Sequence, residues 1–176
     1  MPTRNVEMIN LARIDLLKGR TNTDLDSLSK ILKDNYDNRL SYHIDDTSFE
    51  DSVCPPNKFV DEIIQEMQTD FKAATDEDLV IANYWGHIHE KNMSTTLHNH
   101  FDSYGSAVCY VEIPVGSGSI VFRPRLNQYD NSAYAAKIEP ERGVYYMFPS
   151  YLDHFVTRNL SDHLRVSISF NFNLKK

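Results

Sequence analysis

Four side chains in this sequence have the types and spacing to hold a metal ion. His98, His100 and Asp102 stand at successive i, i+2 positions in L-H-N-H-F-D, and His154 follows far downstream in P-S-Y-L-D-H-F-V. On an extended strand, alternation points all three of the first group to one face. Imidazole nitrogen and carboxylate oxygen are the donors of a non-haem divalent iron centre, in which two histidines and one carboxylate leave positions open for substrate. The competing reading is a polar loop with incidental histidines. His154 weighs against it, because a strand ending at Phe148-Pro149 and a short turn deliver that imidazole just before the chain re-enters apolar sequence.

The remaining histidines ask for less. His43 falls in a polar connection and His163 in a polar turn, both read as solvated. His87 and His89 form a second His-x-His in W-G-H-I-H-E-K, but the charged residues that follow read as a loop without a supporting strand. They are not expected to be metal ligands.

A second chemical signal opens the last strand, R-V-S-I-S-F-N-F. Alternation places Arg165, Ser167 and Ser169 on one face and Val166, Ile168 and Phe170 on the other. An arginine on an inward face is costly unless an anion meets it. Its planar fork matches a carboxylate bidentately, with the serine hydroxyl as a further donor. That points to a pocket for a small dicarboxylate beside the metal; the plainer alternative is an edge strand with a wet polar face.

The elements that must position these groups are legible in outline. Thr23 and Asp26 resemble a capping box, and Leu25, Leu28, Ile31 and Leu32 carry a helix to about Asn35. Phe59, Ile63, Met67 and Phe71 recur four apart and define a second helix over 57–74. Both apolar stripes read as core. Residues 10–17 are ambiguous between strand and arm, and 37–56 read as a surface connection ending in Cys-Pro-Pro. After Asp78 the pattern changes to short runs of period two: Leu79 to Trp85, Ser106 to Ile113, Ser119 to Phe122, Val144 to Phe148 and Arg165 to Leu174. Two helices followed by many strands read as α+β, with a two-sheet jelly roll and the helices on its outer face as the economical arrangement. The chain then reads as a single domain over 1–176, with a helical portion at 1–78 and a jelly-roll core at 79–176 that carries the metal site.

Composition bounds the function. A net charge of -7 argues against a general nucleic-acid-binding surface, which needs clustered Lys and Arg. No apolar run reaches the length of a membrane span, and M-P-T-R-N-V-E-M-I-N lacks the apolar core of a signal peptide, so a cytoplasmic protein is expected. Two cysteines, Cys54 and Cys109, with nothing to pair them fit a reducing compartment.

Taken in order, the His-x-(His or Asp) pair, the distal His and Arg-x-Ser resemble the 2-oxoglutarate- and Fe(II)-dependent oxygenase superfamily. The stretch from about Asn83 to Asn171 is similar to a small family of such oxygenases found in bacteria and marine phages. It carries Asn83, Trp85, His98-Asn99-His100, the strand Ser106 to Val111, Phe148-Pro149 with His154, and R-V-S-I-S-F-N. The resemblance implies a double-stranded β-helix, His154 as the distal iron ligand, and Arg165, Ser167 and Tyr110 around the distal carboxylate of 2-oxoglutarate. It implies Fe(II), 2-oxoglutarate and O₂ as cofactor and co-substrates, with decarboxylation to succinate and hydroxylation of a substrate. The proximal ligands are His98 and His100 if the closer family's His-x-His applies, and His100 and Asp102 if the superfamily's commoner pattern does; the histidine pair is the expectation.

Two further readings compete. A cupin-type metal dioxygenase or isomerase would use Gly143, Pro149 and His154, although Tyr151 stands where that signature has glycine. A jelly-roll binding protein would use a metal only to stabilise its fold. The substrate is open among small molecule, peptide and nucleotide. Tyr129, Tyr134, Tyr145, Tyr146 and Tyr151 make the region between the metal motifs aromatic, which reads first as packing. Residues 123–142, with Arg123, Arg125 and Arg142, read as a loop shaping an entrance.

Overall fold

The computed structural model describes residues 14–37, 54–123 and 136–176. His43 and most of the 37–56 connection lie outside them, as do Arg125, Tyr129 and Tyr134 of the 123–142 loop. In chain order the elements are β1 (Leu17–Arg20), α1 (Leu25–Asp37), α2 (Lys58–Thr75), β2 (Leu79–His89), β3 (Thr95–His98), β4 (Gly105–Glu112), β5 (Ile120–Arg123), β6 (Ala136–Ile138), β7 (Val144–Pro149), β8 (Asp153–Val156) and β9 (Arg165–Leu174). Among the described residues they form a five-stranded sheet in the order β1-β7-β4-β9-β2 and a four-stranded sheet in the order β3-β8-β5-β6. Every pairing is antiparallel.

Both helices start where a side chain satisfies the free N–H groups of the first turn. At α2, Asn57 Oδ1 accepts from the N–H groups of Phe59 and Val60, both at 3.1 Å. At α1 the cap is Asp24, one residue beyond the expected Thr23: its Oδ1 accepts from the N–H groups of Asp26 and Ser27, both at 3.1 Å. Asp24 Oδ2 also accepts from the Ser27 hydroxyl at 2.7 Å. Thr23 is turned instead toward α2, where its hydroxyl bonds Glu62.

The helices cover the outer face of the larger sheet, as expected. Leu28 and Leu32 of α1 and Val60, Ile63 and Met67 of α2 pack against Cys109, Tyr145, Ile168, Phe170 and Phe172. The alternate residues of the same strands face inward: Val108 and Tyr110, Tyr146 and Phe148, packed with Ile120 and Phe122 of the smaller sheet. Because both faces are covered, β4 and β7 read as near-continuous apolar runs, which hides their alternation in the sequence. On β9 the inward positions turn polar: Arg165, Ser167 and Asn171 are buried beside the outward Val166, Ile168 and Phe170.

The ambiguous N-terminal stretch leads into β1, which takes the edge beside β7, with Leu17 opposite Met147. Cys54 and Cys109 are both free and buried. No helix among the described residues is long and apolar enough to cross a membrane.

Candidate metal centre

The two sheets bring His98, His100 and His154 together at one end of the space between them, with one potential ligand atom from each lying within 4.8 Å of the others. His98 ends β3 and pairs directly with His154 on β8, so a strand pair places two of the three. Their rings approach to 4.3 Å between centroids. His100 arrives differently. The strand stops at His98, and the bond from the His100 N–H to the Ser150 carbonyl at 2.8 Å ties the following turn to the end of β7.

That geometry corrects the expectation of one extended strand carrying His98, His100 and Asp102. Past His98 the backbone no longer alternates, and Asp102 is exposed on the turn outside the histidine group. The histidine pair, not the carboxylate, meets His154.

The protonation state of two rings follows from their partners. His98 Nδ1 lies 2.7 Å from the Thr96 carbonyl and His154 Nδ1 lies 2.8 Å from the Leu152 carbonyl. A carbonyl only accepts, so both Nδ1 atoms carry the proton and both Nε2 atoms keep a lone pair for a cation. Burial works the same way: it holds His154 down to about 3 and His100 to about 4, helped by the neighbouring histidines, and pushes His98 below its ordinary value. Three imidazoles that stay neutral at pH 7 are suited to ligating a metal.

One bond ties the three backbones into a unit. The Asn99 side chain, between two of the histidines, donates to Asp153 Oδ1 at 2.6 Å, immediately before the third. Asp153 is buried. Asn99→Ala or Asp153→Ala is therefore expected to weaken metal binding roughly 10- to 100-fold, read by competition with a chelating dye, while the circular dichroism spectrum is unchanged. Unchanged affinity in both variants would show that strand pairing alone sets the geometry.

Deeper in the same cavity lie Arg165 and Ser167. Arg165 is 1% exposed, and its Nε and Nη1 are buried without a hydrogen-bond partner. The guanidinium stands over the Tyr110 ring at 5.6 Å, and the Tyr110 hydroxyl is likewise buried and unpartnered. Tyr110 and Ser167 are direct cross-strand partners. Burial depresses the Arg165 basicity and raises that of Tyr110. A cation and a neutral phenol, orphaned side by side, form a binding surface for an anion.

The second His-x-His also departs from expectation. β2 continues through His89, pairing His87 with Ser167 and His89 with Arg165, so a strand supports it after all. Both rings line the cavity, outside the histidine group that could hold a metal. The Trp85 indole donates to His87 Nε2 at 2.6 Å, and its ring packs 5.5 Å from His100. Trp85, His87 and His89 alternate with outward Tyr84 and Ile88, a period of two that identifies the strand but is masked by the charged E-K that follows. His163 is exposed.

Residues 83–171 match the model of a protein family described as "Putative 2OG-Fe(II) oxygenase". This chain belongs to that family. No functionally curated protein matches this chain in sequence. Solved structures share its fold at low identity. A Pseudomonas putida prolyl-4-hydroxylase aligns at 15% identity over 92% of this chain and 88% of that one, with a TM-score of 0.58. The non-heme alpha ketoglutarate dependent epimerase SnoN from nogalamycin biosynthesis aligns at 14% identity over 91% and 78%, with a TM-score of 0.64. A 2OG-Fe(II) oxygenase family oxidoreductase from Burkholderia pseudomallei aligns at 15% identity over 60% of this chain, with a TM-score of 0.52; the match spans about half of that protein, 51%. The fold is the double-stranded β-helix of these oxygenases, and the family's cofactor and co-substrates are Fe(II), 2-oxoglutarate and O₂.

Proposed function

We propose that the oxygenase binds Fe(II) through His98, His100 and His154, takes the distal carboxylate of 2-oxoglutarate on Arg165, Ser167 and Tyr110, and hydroxylates a substrate. The observation that carries this reading is the buried Arg165 with unpartnered Nε and Nη1, in the same cavity as three converging neutral imidazoles. It also separates the reading from a cupin-type dioxygenase and from a metal-stabilised binding protein, neither of which gives a buried guanidinium anything to do.

When bound, iron with 2-oxoglutarate supplies oxidative decarboxylation of the co-substrate to succinate, coupled to oxidation of a second molecule. This chain's residues hold and orient. The carbonyls of Thr96 and Leu152 fix the ring orientations of His98 and His154, leaving Nε2 toward the cavity. Arg165 fixes one end of the dicarboxylate, so the opposite end is directed toward the histidines. Val108, Ile120, Phe148 and Val156 line the rest of the cavity and exclude water from the space between. Hydroxylation is the reading for the outcome, with a small molecule, peptide or nucleotide as the substrate. The fold is equally at home in an epimerase.

Anaerobic addition of Fe(II) and 2-oxoglutarate together is expected to give a weak visible charge-transfer band that neither gives alone. His154→Ala should abolish it and Asp102→Ala should leave it unchanged. Metal binding without a band in the unmodified protein would remove the oxygenase reading of this site.

A further inference from the structure

Three buried groups from neighbouring strands face the dicarboxylate cavity with unused hydrogen-bonding capacity, and two of them, Arg165 and Tyr110, have a role so far. The other is His89. It is 6% exposed, stands directly across from Arg165 in the β2–β9 register, and its Nδ1 is buried with no partner. Its other nitrogen, Nε2, lies 2.9 Å from the Thr95 hydroxyl on β3 of the opposite sheet. Both His89 and Thr95 line the cavity, and Arg165 is close enough to disfavour a positive charge on the ring.

A buried polar atom left unsatisfied next to a buried, unneutralised cation is costly twice over, and one anion between them removes both costs. For His89 to serve such an anion, Nδ1 must carry the proton. That tautomer requires an acceptor lone pair at Nε2 and a donor facing it, which the Thr95 hydroxyl supplies.

We propose that His89 is a further anchor of the co-substrate: its Nδ1–H donates to the distal carboxylate held by Arg165, and Thr95 fixes the tautomer by donating to Nε2. The assignment rests on the reading that Arg165 receives that carboxylate. It makes His89 a binding residue and Thr95 a positioning residue, and it links the carboxylate end of the cavity to β3, the strand that ends in His98.

The test is anaerobic titration of the Fe(II)-loaded protein, followed by the charge-transfer band, with two probes: 2-oxoglutarate, and 2-oxopentanoate, which has the same 2-oxo acid head and no distal carboxylate. His89→Leu is expected to weaken 2-oxoglutarate roughly 10- to 100-fold, the range for losing a hydrogen bond to a charged group, and to leave 2-oxopentanoate within about twofold. His89→Asn, whose amide nitrogen overlays Nδ1, should recover most of the loss. Thr95→Val should weaken 2-oxoglutarate by less than His89→Leu, and should have no further effect in the His89→Asn background. Unchanged 2-oxoglutarate affinity in His89→Leu, with Arg165→Met abolishing binding, overturns the role of His89 alone. Unchanged affinity in Arg165→Met overturns the underlying reading as well. Equal loss of both probes in His89→Leu shows a packing role and also overturns the proposal. Should His89→Leu fail to fold, ¹⁵N NMR of the histidine rings in the unmodified protein decides. A protonated Nδ1 on His89 that shifts on adding 2-oxoglutarate supports the anchor, and an unprotonated Nδ1 overturns it.

Discussion

Arg165→Met is expected to make the protein more stable and unable to bind 2-oxoglutarate. The two effects have one cause. The guanidinium is almost wholly buried, and its Nε and Nη1 have no partner. Tyr110 offers only its ring face to the charge. A buried cation in this state carries its desolvation cost without the compensation a carboxylate would give, and replacing a buried ionic group by an apolar one of similar length gains about 1–4 kcal/mol. Methionine supplies an unbranched apolar side chain without the charge. Removing one partner of a buried, hydrogen-bonded charge pair costs a complex about 2–5 kcal/mol or more, so binding should fall at least roughly 30-fold. Thermal melts would show both signs in one series. Without ligand the variant melts higher than the unmodified protein. With Fe(II) and excess 2-oxoglutarate the unmodified protein gains stability by mass action, and the variant gains only what the metal alone supplies. A variant that melts lower and still responds to 2-oxoglutarate would mean that the guanidinium supports the fold and that the anion sits elsewhere.

The same residue shows what the sequence could and could not reveal. Arg165 was legible because β9 alternates strictly, and a charge on the face opposite Val166, Ile168 and Phe170 has few explanations. The helices were legible for the same reason, since a polar outer face keeps the period visible. His89 was hidden because its evidence is relational. Its importance lies in standing across from Arg165 and beside Thr95, and neither pairing is local in sequence. Asp102 misled for the converse reason: i, i+2 spacing carries a side chain to the same face only while the strand continues, and β3 ends at His98. The short strands β3, β6 and β8, three or four residues each, are too brief to show a period and are held by their partners. Asn83 carried part of the family resemblance with no local meaning. In the structure it accepts from Asn171, which in turn accepts from Ser106, a polar ladder across three strands of the larger sheet.

The metal-free protein is expected to lose most of its stability between about pH 6.5 and pH 5, well above the range in which carboxylates titrate. Burial is the first cause for each of His87, His89 and His154, and it holds all three to about 3. An unfolded histidine titrates near 6.5. Above that value neither state carries the proton and these residues contribute no pH dependence. Below it the unfolded chain takes up a proton at each ring and the folded chain does not, so stability falls with falling pH by about 1.4 kcal/mol per pH unit per histidine. Over the roughly 1.5 units down to pH 5 that is about 2 kcal/mol each and about 6 kcal/mol for the three, against a typical total of about 5–15 kcal/mol. His98 and His100 are shifted in the same direction and add to the slope. The carboxylates that are stabilised by their partners, such as Glu112 with Lys33 and Ser29, work below about 4.5 and do not blur this window. Urea midpoints at a series of pH values would give the slope directly. A bound divalent ion should raise stability across the series and so lower the pH at which the protein unfolds, while leaving the slope between about pH 6.5 and pH 5 unchanged, because the folded rings are neutral there with or without it. The double substitution His87→Gln, His89→Asn should flatten the metal-free and the metal-loaded curves by the same amount, about 2.8 kcal/mol per pH unit, since it removes two rings that only the unfolded chain protonates. Equal stability of the metal-free protein at pH 7 and pH 5 would show that the five rings are open to water, and the case for a dry, neutral binding cavity would fall with it.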